Sequence, residues 1–325
     1  MAKLTLVQAV NDALKTEMRQ DERVVVLGED VGVDGGVFRA TLELIDEFGE
    51  DRVIDTPLAE SGIVGTALGM AVYGLRPVGE IQFSGFMPPA YDQLISHISR
   101  IRWRSRGRYE APMVIRAPYG GGIRSPEHHA ESPEAYYAHV PGLKVVIPST
   151  PYDAKGLLVG AIRDPDPVVF LEPKKIYRAF REEVPEDAYT VPIGKANVSR
   201  EGSDLTLVSW GYVHRVALEA AEMAEGDGVD VEVIDMRTLN PLDHQSVIDS
   251  VEKTGRCVIA QEGPSINGMA SELSAVVSDA TFFSLQAPIE RVTGFDVTVP
   301  LGAKEDHYIP DAERVHRAIR RTMDF

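Results

Sequence analysis

Val24-Val25-Val26-Leu27-Gly28-Glu29-Asp30-Val31 opens with four branched apolar residues, is stopped by a glycine and continues into two acids. An apolar run this short, continuous rather than alternating, is the pattern of a strand buried on both faces. Just before it, Leu6, Val10, Leu14 and Met18 recur every four residues, the stripe of an amphipathic helix. Further strands are expected at 78–83, 113–116, 144–147 and 168–171, with helical patterns near 61–73, 89–103 and 152–163 between them. This alternation predicts an α/β fold of parallel strands with crossover helices on both faces.

Periodicity fails between Lys174 and Ser203. Charge and proline dominate there, as in Glu182-Glu183-Val184-Pro185-Glu186-Asp187, and the stretch reads as an interdomain crossing. A second α/β set follows, with strands expected at 205–210, 229–236, 256–261 and 290–293 and helices near 213–225, 242–253, 268–279 and 312–322. The expected architecture is two three-layer α/β domains, 1–185 and 186–325.

Composition narrows the function classes. The 325 residues hold 33 Lys+Arg against 50 Asp+Glu, a net charge of −17, which disfavours nucleic acid or an anionic membrane as main partner. A single cysteine, Cys257, excludes an internal disulfide framework and any cysteine-ligated zinc or iron–sulfur site. No stretch reaches the roughly 18 apolar residues of a spanning helix. Met1-Ala2-Lys3-Leu4-Thr5 runs straight into the first helical pattern, so no signal peptide is expected and the location expected is cytoplasmic.

In open α/β sheets ligands gather beyond the carboxyl ends of the strands, and three segments there draw attention. In Asp55-Thr56-Pro57-Leu58-Ala59-Glu60-Ser61-Gly62, Glu60 stands at a strand-to-helix junction, either as a first-turn carboxylate favoured by the helix dipole or as an acid aimed at a ligand. In Glu80-Ile81-Gln82-Phe83-Ser84-Gly85-Phe86, Phe86 is either core or a flat surface for a heterocycle. Tyr119-Gly120-Gly121-Gly122 leads through Pro126 to His128-His129-Ala130-Glu131 and Pro133. The prolines leave no helix to set paired metal ligands one turn apart, so one histidine facing a site and suited to proton transfer is the better reading.

Other motifs are set aside. Gly226-Asp227-Gly228 has the letters of a magnesium–diphosphate motif but follows a helix and precedes a strand, the wrong end of the sheet for it. Gly62, Gly65 and Gly69 do not form a dinucleotide fingerprint and suggest close helix packing. The five arginines at alternate positions from Arg100 to Arg108, around Trp103, read as a helix-terminal charge cluster or subunit contact.

Collinear fragments carry a resemblance across essentially the whole chain. They include Val26-Leu27-Gly28-Glu29-Asp30-Val31, Asp55-Thr56-Pro57-Leu58-Ala59-Glu60 and Glu80-Ile81-Gln82-Phe83. Pro141-Gly142-Leu143-Lys144-Val145-Val146-Ile147-Pro148-Ser149, Asp166-Pro167-Val168-Val169-Phe170-Leu171-Glu172-Pro173 and Met236-Arg237-Thr238-Leu239-Asn240-Pro241-Leu242-Asp243 continue the order. Together they resemble the β subunit of the thiamine-diphosphate-dependent E1 component of 2-oxoacid dehydrogenase complexes, in the transketolase-like superfamily.

The resemblance implies a pyrimidine-binding domain followed by a transketolase-type C-terminal domain. It also implies an E1 α subunit that holds magnesium and the diphosphate, in an α2β2 heterotetramer. Glu60 matches the glutamate on N1′ of the aminopyrimidine, Phe86 the aromatic stacked on that ring, and Leu58 a contact beside it. His129 matches the histidine of reductive acylation, with Ala130 where many relatives have serine and Glu131 where they have Gln or Asp. Glu29 matches an acidic position implicated in communication between the two active sites. Met113, Ala161, Asp164 and Asp166 fall near a structural potassium site, its ligands largely carbonyls.

Pyruvate is the first expected substrate, on the look of 147–156 and Arg163-Asp164, with branched-chain 2-oxoacids and acetoin as alternatives. A non-catalytic binding subunit of the same fold is the reading from a different class. The E2 lipoyl acyltransferase, through its lipoyl and peripheral-subunit-binding domains, is the expected further partner. Asp324 and the Phe325 carboxylate are expected at that contact. The acidity fits a basic E2 domain or a saline habitat equally.

Overall fold

All five residues of Val24–Gly28 are buried in a strand, the centre of the first sheet. In this computed structural model, which describes residues 1–325, the elements run β1 (Ala2–Leu4), α1 (Leu6–Gln20), β2 (Val24–Gly28), α2 (Leu44–Phe48), β3 (Val53–Asp55), α3 (Glu60–Val72) and β4 (Arg76–Glu80). They continue with α4 (Ile101–Arg104), β5 (Val114–Tyr119), α5 (Glu134–Ala138), β6 (Lys144–Val146), α6 (Pro151–Arg163), β7 (Val168–Pro173) and β8 (Glu182–Val184). Then follow β9 (Asn197–Arg200), β10 (Leu205–Ser209), α7 (Gly211–Gly226), β11 (Val231–Asp235), β12 (Thr238–Asn240) and α8 (His244–Thr254). The chain ends with β13 (Cys257–Pro264), α9 (Met269–Ala280), β14 (Glu290–Gly294), α10 (Glu305–Tyr308) and α11 (Ala312–Met323). Two units form: Met1–Tyr119 with Tyr136–Ile193, and Gly120–Ala135 with Gly194–Phe325. The glycine-rich segment that sequence position sets within 1–185 therefore packs as part of the second unit.

In the first unit, β6, β7, β5, β4, β2 and β3 lie side by side in that order, all parallel. From β2 the chain goes to β3 on one side, then returns through α3 to β4 on the other. The order thus reverses at β2, and such a switch point opens a crevice at the carboxyl ends of the strands. Local signals start the helices: the Gln8 side chain accepts the Thr5 amide at 3.0 Å ahead of α1, and Thr150 Oγ1 accepts Asp153 N–H at 3.1 Å ahead of α6, with Pro151 at its first position.

One ionic cluster crosses this sheet in its interior. Arg116 of β5, fully buried, donates to Glu172 of β7 at 2.7 and 2.8 Å and to Glu80 of β4, while Tyr177 Oη donates to Glu172 at 2.5 Å. One guanidinium serves two carboxylates, and burial holds the Glu80 carboxyl above its ordinary proton affinity.

Two expectations are corrected here. The pattern near 89–103 is not one α-helix: 3₁₀ turns flank a π-helical run, Asp92–His97, before α4. Ser99 Oγ bonds back to the Ile95 carbonyl at 2.8 Å, a contact that bends helices, and a Cβ at Gly142 would sit 2.1 Å from the Ser99 carbonyl oxygen. The stretch from Lys174 is not simply a crossing, because β8 pairs antiparallel with β1. The buried Lys155 ammonium donates to the carbonyls of Pro185 and Glu186 at 2.6 and 2.9 Å and pairs with Asp12 at 2.6 Å.

The second unit carries a sheet ordered β14, β13, β10, β11, β9, parallel except that β9 is antiparallel to β11. Val216 and Ala220 of α7 and Val315 and Ile319 of α11 pack with Leu205, Leu207 and Val258 in its core. Gly226 closes α7, Asp227 caps it and meets His316 at 2.8 Å, and Gly228 takes φ +84°. That triplet is a helix terminus, as its order in the sequence suggests.

Replacing Arg116 by Met leaves two buried glutamates without their cation. The expected loss is about 3–5 kcal/mol of stability, read as a lower urea or thermal midpoint. An unchanged midpoint would mean that the cluster does not support the fold.

Candidate active site

Loop stitching at the switch point starts with Gly28, where a Cβ would lie 2.7 Å from the Glu80 carbonyl oxygen, so β2 and β4 meet with no room for a side chain. Glu29 follows, then Asp30 in the left-handed region at φ +57°, whose carboxylate accepts Gln82 Nε2 at 2.9 Å. Asp55, the last residue of β3, accepts the amides of Gly32 at 2.6 Å and Val33 at 3.2 Å. Thr56 N–H donates to the Gly28 carbonyl at 2.9 Å. The loops after β2 and β3 are thereby tied to one another.

Glu60 is the first residue of α3, and Ala59 before it supplies no capping side chain. The unsatisfied amides and dipole of that terminus favour a negative charge at this position. Burial, and next the charge of Glu60, raise the proton affinity of Glu29. Two carboxyl groups therefore share this crevice closely enough to feel one another.

Phe86 is half-buried, its ring edge-on to Phe83 at 5.6 Å. Phe83 meets Phe38 at 5.5 Å, and Phe38 meets Tyr177 at 5.2 Å. This aromatic run ties the ring's position to the cluster around Arg116. Leu58 is 74% exposed on the loop before Glu60. Two acceptors escaped the sequence reading: Thr56 Oγ1 and Gln93 Oε1 are buried without a protein partner. Gln93 packs against α3 at Gly65, whereas Gly62 meets only Ala59 of its own turn and Gly69 meets nothing. A Cβ at Gly65 would meet Gln93 at an ordinary 3.5 Å, so close packing requires none of the three glycines, contrary to expectation. Orphaned acceptors beside a paired-acid crevice and an aromatic ring fit a polar heterocycle such as an aminopyrimidine.

The potassium set divides by atom type. Asp164 is held by Lys144 Nζ at 2.7 Å and Asp166 by Arg102 Nε at 2.6 Å, so both carboxylates already have cations. The Met113 carbonyl accepts Val168 N–H and the Ala161 carbonyl accepts Asp164 N–H, each leaving a second lone pair. What this set leaves to offer a hard monovalent ion is carbonyl oxygens rather than carboxylates.

His129 belongs to the second unit, on the segment Gly120–Ala135. Gly120 N–H closes the segment onto the Glu131 carbonyl at 3.0 Å, and Ser125 Oγ donates to the His129 carbonyl at 3.2 Å. His129 Nδ1 lies 2.7 Å from the Glu127 carbonyl, which can only accept. Nδ1 is thus the protonated nitrogen of the neutral ring, and Nε2 is its basic atom. Near the end of the segment Glu134 is buried, its Oε1 accepting Trp210 Nε1–H at 3.4 Å, and burial pushes its carboxyl up to about 8.

Residues 2–179 match the transketolase pyrimidine-binding domain and residues 194–315 the transketolase C-terminal domain. Among solved structures, "Split gene transketolase, inactive beta4 tetramer" superposes at a TM-score of 0.80 with 23% identity, covering 99% of each chain, a likeness of fold. The class is therefore a transketolase-like α/β protein. Over 325 residues and 100% of both chains it is 52% identical to the pyruvate dehydrogenase E1 component subunit beta of Bacillus subtilis (strain 168). It is 51% identical over 321 residues to that of Acholeplasma laidlawii, covering 99% and 98% of the two chains. The chain belongs to the pyruvate dehydrogenase E1 β-subunit family.

The buried Glu134 sets a pH dependence. The native state holds a proton that the unfolded chain releases near 4.5, so stability falls as pH rises from about 4.5 to about 8 and then levels off. Thermal midpoints measured across that range should decline in the wild type and flatten in Glu134→Gln. The same decline in both proteins would assign it to another group.

Proposed function

We propose that this chain is the catalytic β subunit of a cytoplasmic pyruvate dehydrogenase E1, active when joined to an α subunit in an α2β2 assembly. The observation that carries the reading is the Glu29–Glu60 pair at the switch point of the first sheet, in a chain of this family. Thiamine diphosphate, its magnesium and diphosphate held by the α subunit, supplies when bound a carbon nucleophile for the 2-oxo carbon and an electron sink as carbon dioxide leaves.

Glu60, set by the first turn of α3, holds a proton at N1′ of the aminopyrimidine and so favours the imino form of its 4′-amino group. Glu29 answers to the charge on Glu60, which disfavours ionisation of Glu29. That coupling suits its role in communication between active sites. Phe86 offers a ring face to the pyrimidine, and Leu58 packs beside it. The orphaned Thr56 and Gln93 oxygens are acceptors for its donors. The carbonyls of Met113 and Ala161 are proposed to hold a structural potassium ion, with Asp164 and Asp166 serving the fold through Lys144 and Arg102.

His129 works in acyl transfer to the lipoyl group of E2. The dithiolane S–S bond opens, one sulfur bonds the acyl carbon, and the other takes a proton from the His129 imidazolium. The two electrons that reduce the disulfide come from the decarboxylated substrate carbon. The bond from Nδ1 to the Glu127 carbonyl orients the ring and makes Nε2 the atom that delivers the proton.

The α-subunit partner is supported by α3, which is apolar around its circumference yet leaves Gly62, Gly69, Val72 and the following Tyr73 exposed. A helix apolar on all sides belongs in an interior. The E2 partner is supported by the exposed Phe325, next to Asp324 at the end of α11.

In E1 reconstituted with its α subunit, Glu60→Gln should lower pyruvate decarboxylation, read with ferricyanide as acceptor, by about 100-fold or more. Full activity in that variant would overturn the mechanism. Deleting Asp324 and Phe325 should weaken binding of the E2 peripheral-subunit-binding domain, measured by calorimetry. Unchanged affinity would place the contact elsewhere.

A further inference from the structure

The segment bearing His129 is held in a strained shape. Gly120 (φ +79°), Gly122 (φ +94°), Arg124 (φ +53°) and His128 (φ +65°) all lie in the left-handed region. Glycine enters it freely, but a residue with a Cβ does so at a cost, and such a backbone persists only where its surroundings over-determine it.

Two buried carboxylates from distant parts of the sequence do this. Glu262, near the end of β13, accepts the Gly121 amide. Glu305, the first residue of α10, accepts the Arg124 amide at 2.6 Å. They are 2% and 1% exposed. The backbone lies directly against them: a Cβ on Gly120 would fall 2.8 Å from Glu262 Oε2, and one on Gly121 2.5 Å from Glu305 Oε1. The Arg124 guanidinium adds an outer tie to Asp306 at 2.6 Å. Hydrogen bonds from amides to a carboxylate are roughly twice as strong as neutral ones, and these two lie at both ends of the Gly121–Arg124 turn. The decarboxylation step described above uses neither glutamate.

We propose that Glu262 and Glu305 are positioning residues for His129, fixing the turn that leads into it so that its imidazole meets the incoming lipoyl dithiolane. The inference rests on the acyl-transfer role of His129 and assigns the groups through which the rest of the second unit imposes that geometry. Their loss should impair acyl transfer while sparing the decarboxylation set up in the first unit.

The test uses reconstituted α2β2 E1, an isolated lipoyl domain and pyruvate, with ferricyanide-linked decarboxylation measured in parallel. Glu305→Ala should lower kcat/KM for lipoyl-domain acylation at least tenfold and leave the ferricyanide rate within about twofold. Glu262→Ala should behave alike. Glu305→Gln, which keeps an acceptor oxygen for the Arg124 amide, should restore most of the transfer. If Glu305→Ala does not assemble, Glu305→Asp withdraws the acceptor by one methylene and carries the same expectation. Equal loss of both activities, or wild-type transfer in the alanine and aspartate variants, would overturn the proposal. His129→Asn separates the two levels. If it transfers at the wild-type rate, the role of His129 falls and the proposal with it. If it is impaired while the glutamate variants are not, the positioning proposal alone falls.

Discussion

Carboxylates that accept backbone amides are the constraint on which both loop systems depend. Asp55 takes the amides of Gly32 and Val33, Glu262 that of Gly121 and Glu305 that of Arg124. Each contact draws a loop against a fixed acid on a strand or helix, and the glycines are where the approach leaves no room for a Cβ. A Cβ on Gly32 would lie 2.6 Å from Asp55 Oδ2, just as Gly120 and Gly121 press on Glu262 and Glu305. The glycines in these loops are thus the imprint of acids elsewhere in the chain.

That imprint bears on what the sequence shows and what it conceals. The buried run Val24–Gly28 and the helical stripe before it are visible because continuous apolar character and a four-residue repeat are local properties. Glu60 and Glu29 are visible because a strand end and a helix start bracket them, and collinear fragments name their counterparts. Strands β8 and β9 are hidden because paired edges need little apolar surface: β9 has no fully buried residue, and in β8 only Val184 is buried. Glu262 and Glu305 are hidden for another reason. They act 141 and 181 residues from the amides they hold, and nothing around them marks a distant partner.

The charge of −17 takes on a different meaning beside these contacts. An acidic composition suggests an external basic partner, yet several of the acids face inward. Glu80 and Glu172 share Arg116 in the sheet interior, and Glu134 keeps its proton at neutral pH because burial disfavours the charge. Formal charge therefore overstates the field available to a partner. The outward acidity that remains is a matter of where the exposed carboxylates sit, as at the end of α11.

Amide donors also suit the chemistry assigned to the second loop. Imidazoles as a class change charge in the neutral range, and the proposed acyl transfer asks His129 to give and regain a proton. A loop held by a second histidine would tie its geometry to the same pH range, and turnover would disturb the support along with the catalyst. A backbone N–H has no such titration. Holding the turn before His129 by the amides of Gly121 and Arg124 keeps the proton proposed to move on His129 apart from contacts whose carboxyl oxygens can accept in either protonation state. The strain at Arg124 and His128 is then sustained by bonds that a proton moving on His129 does not switch off.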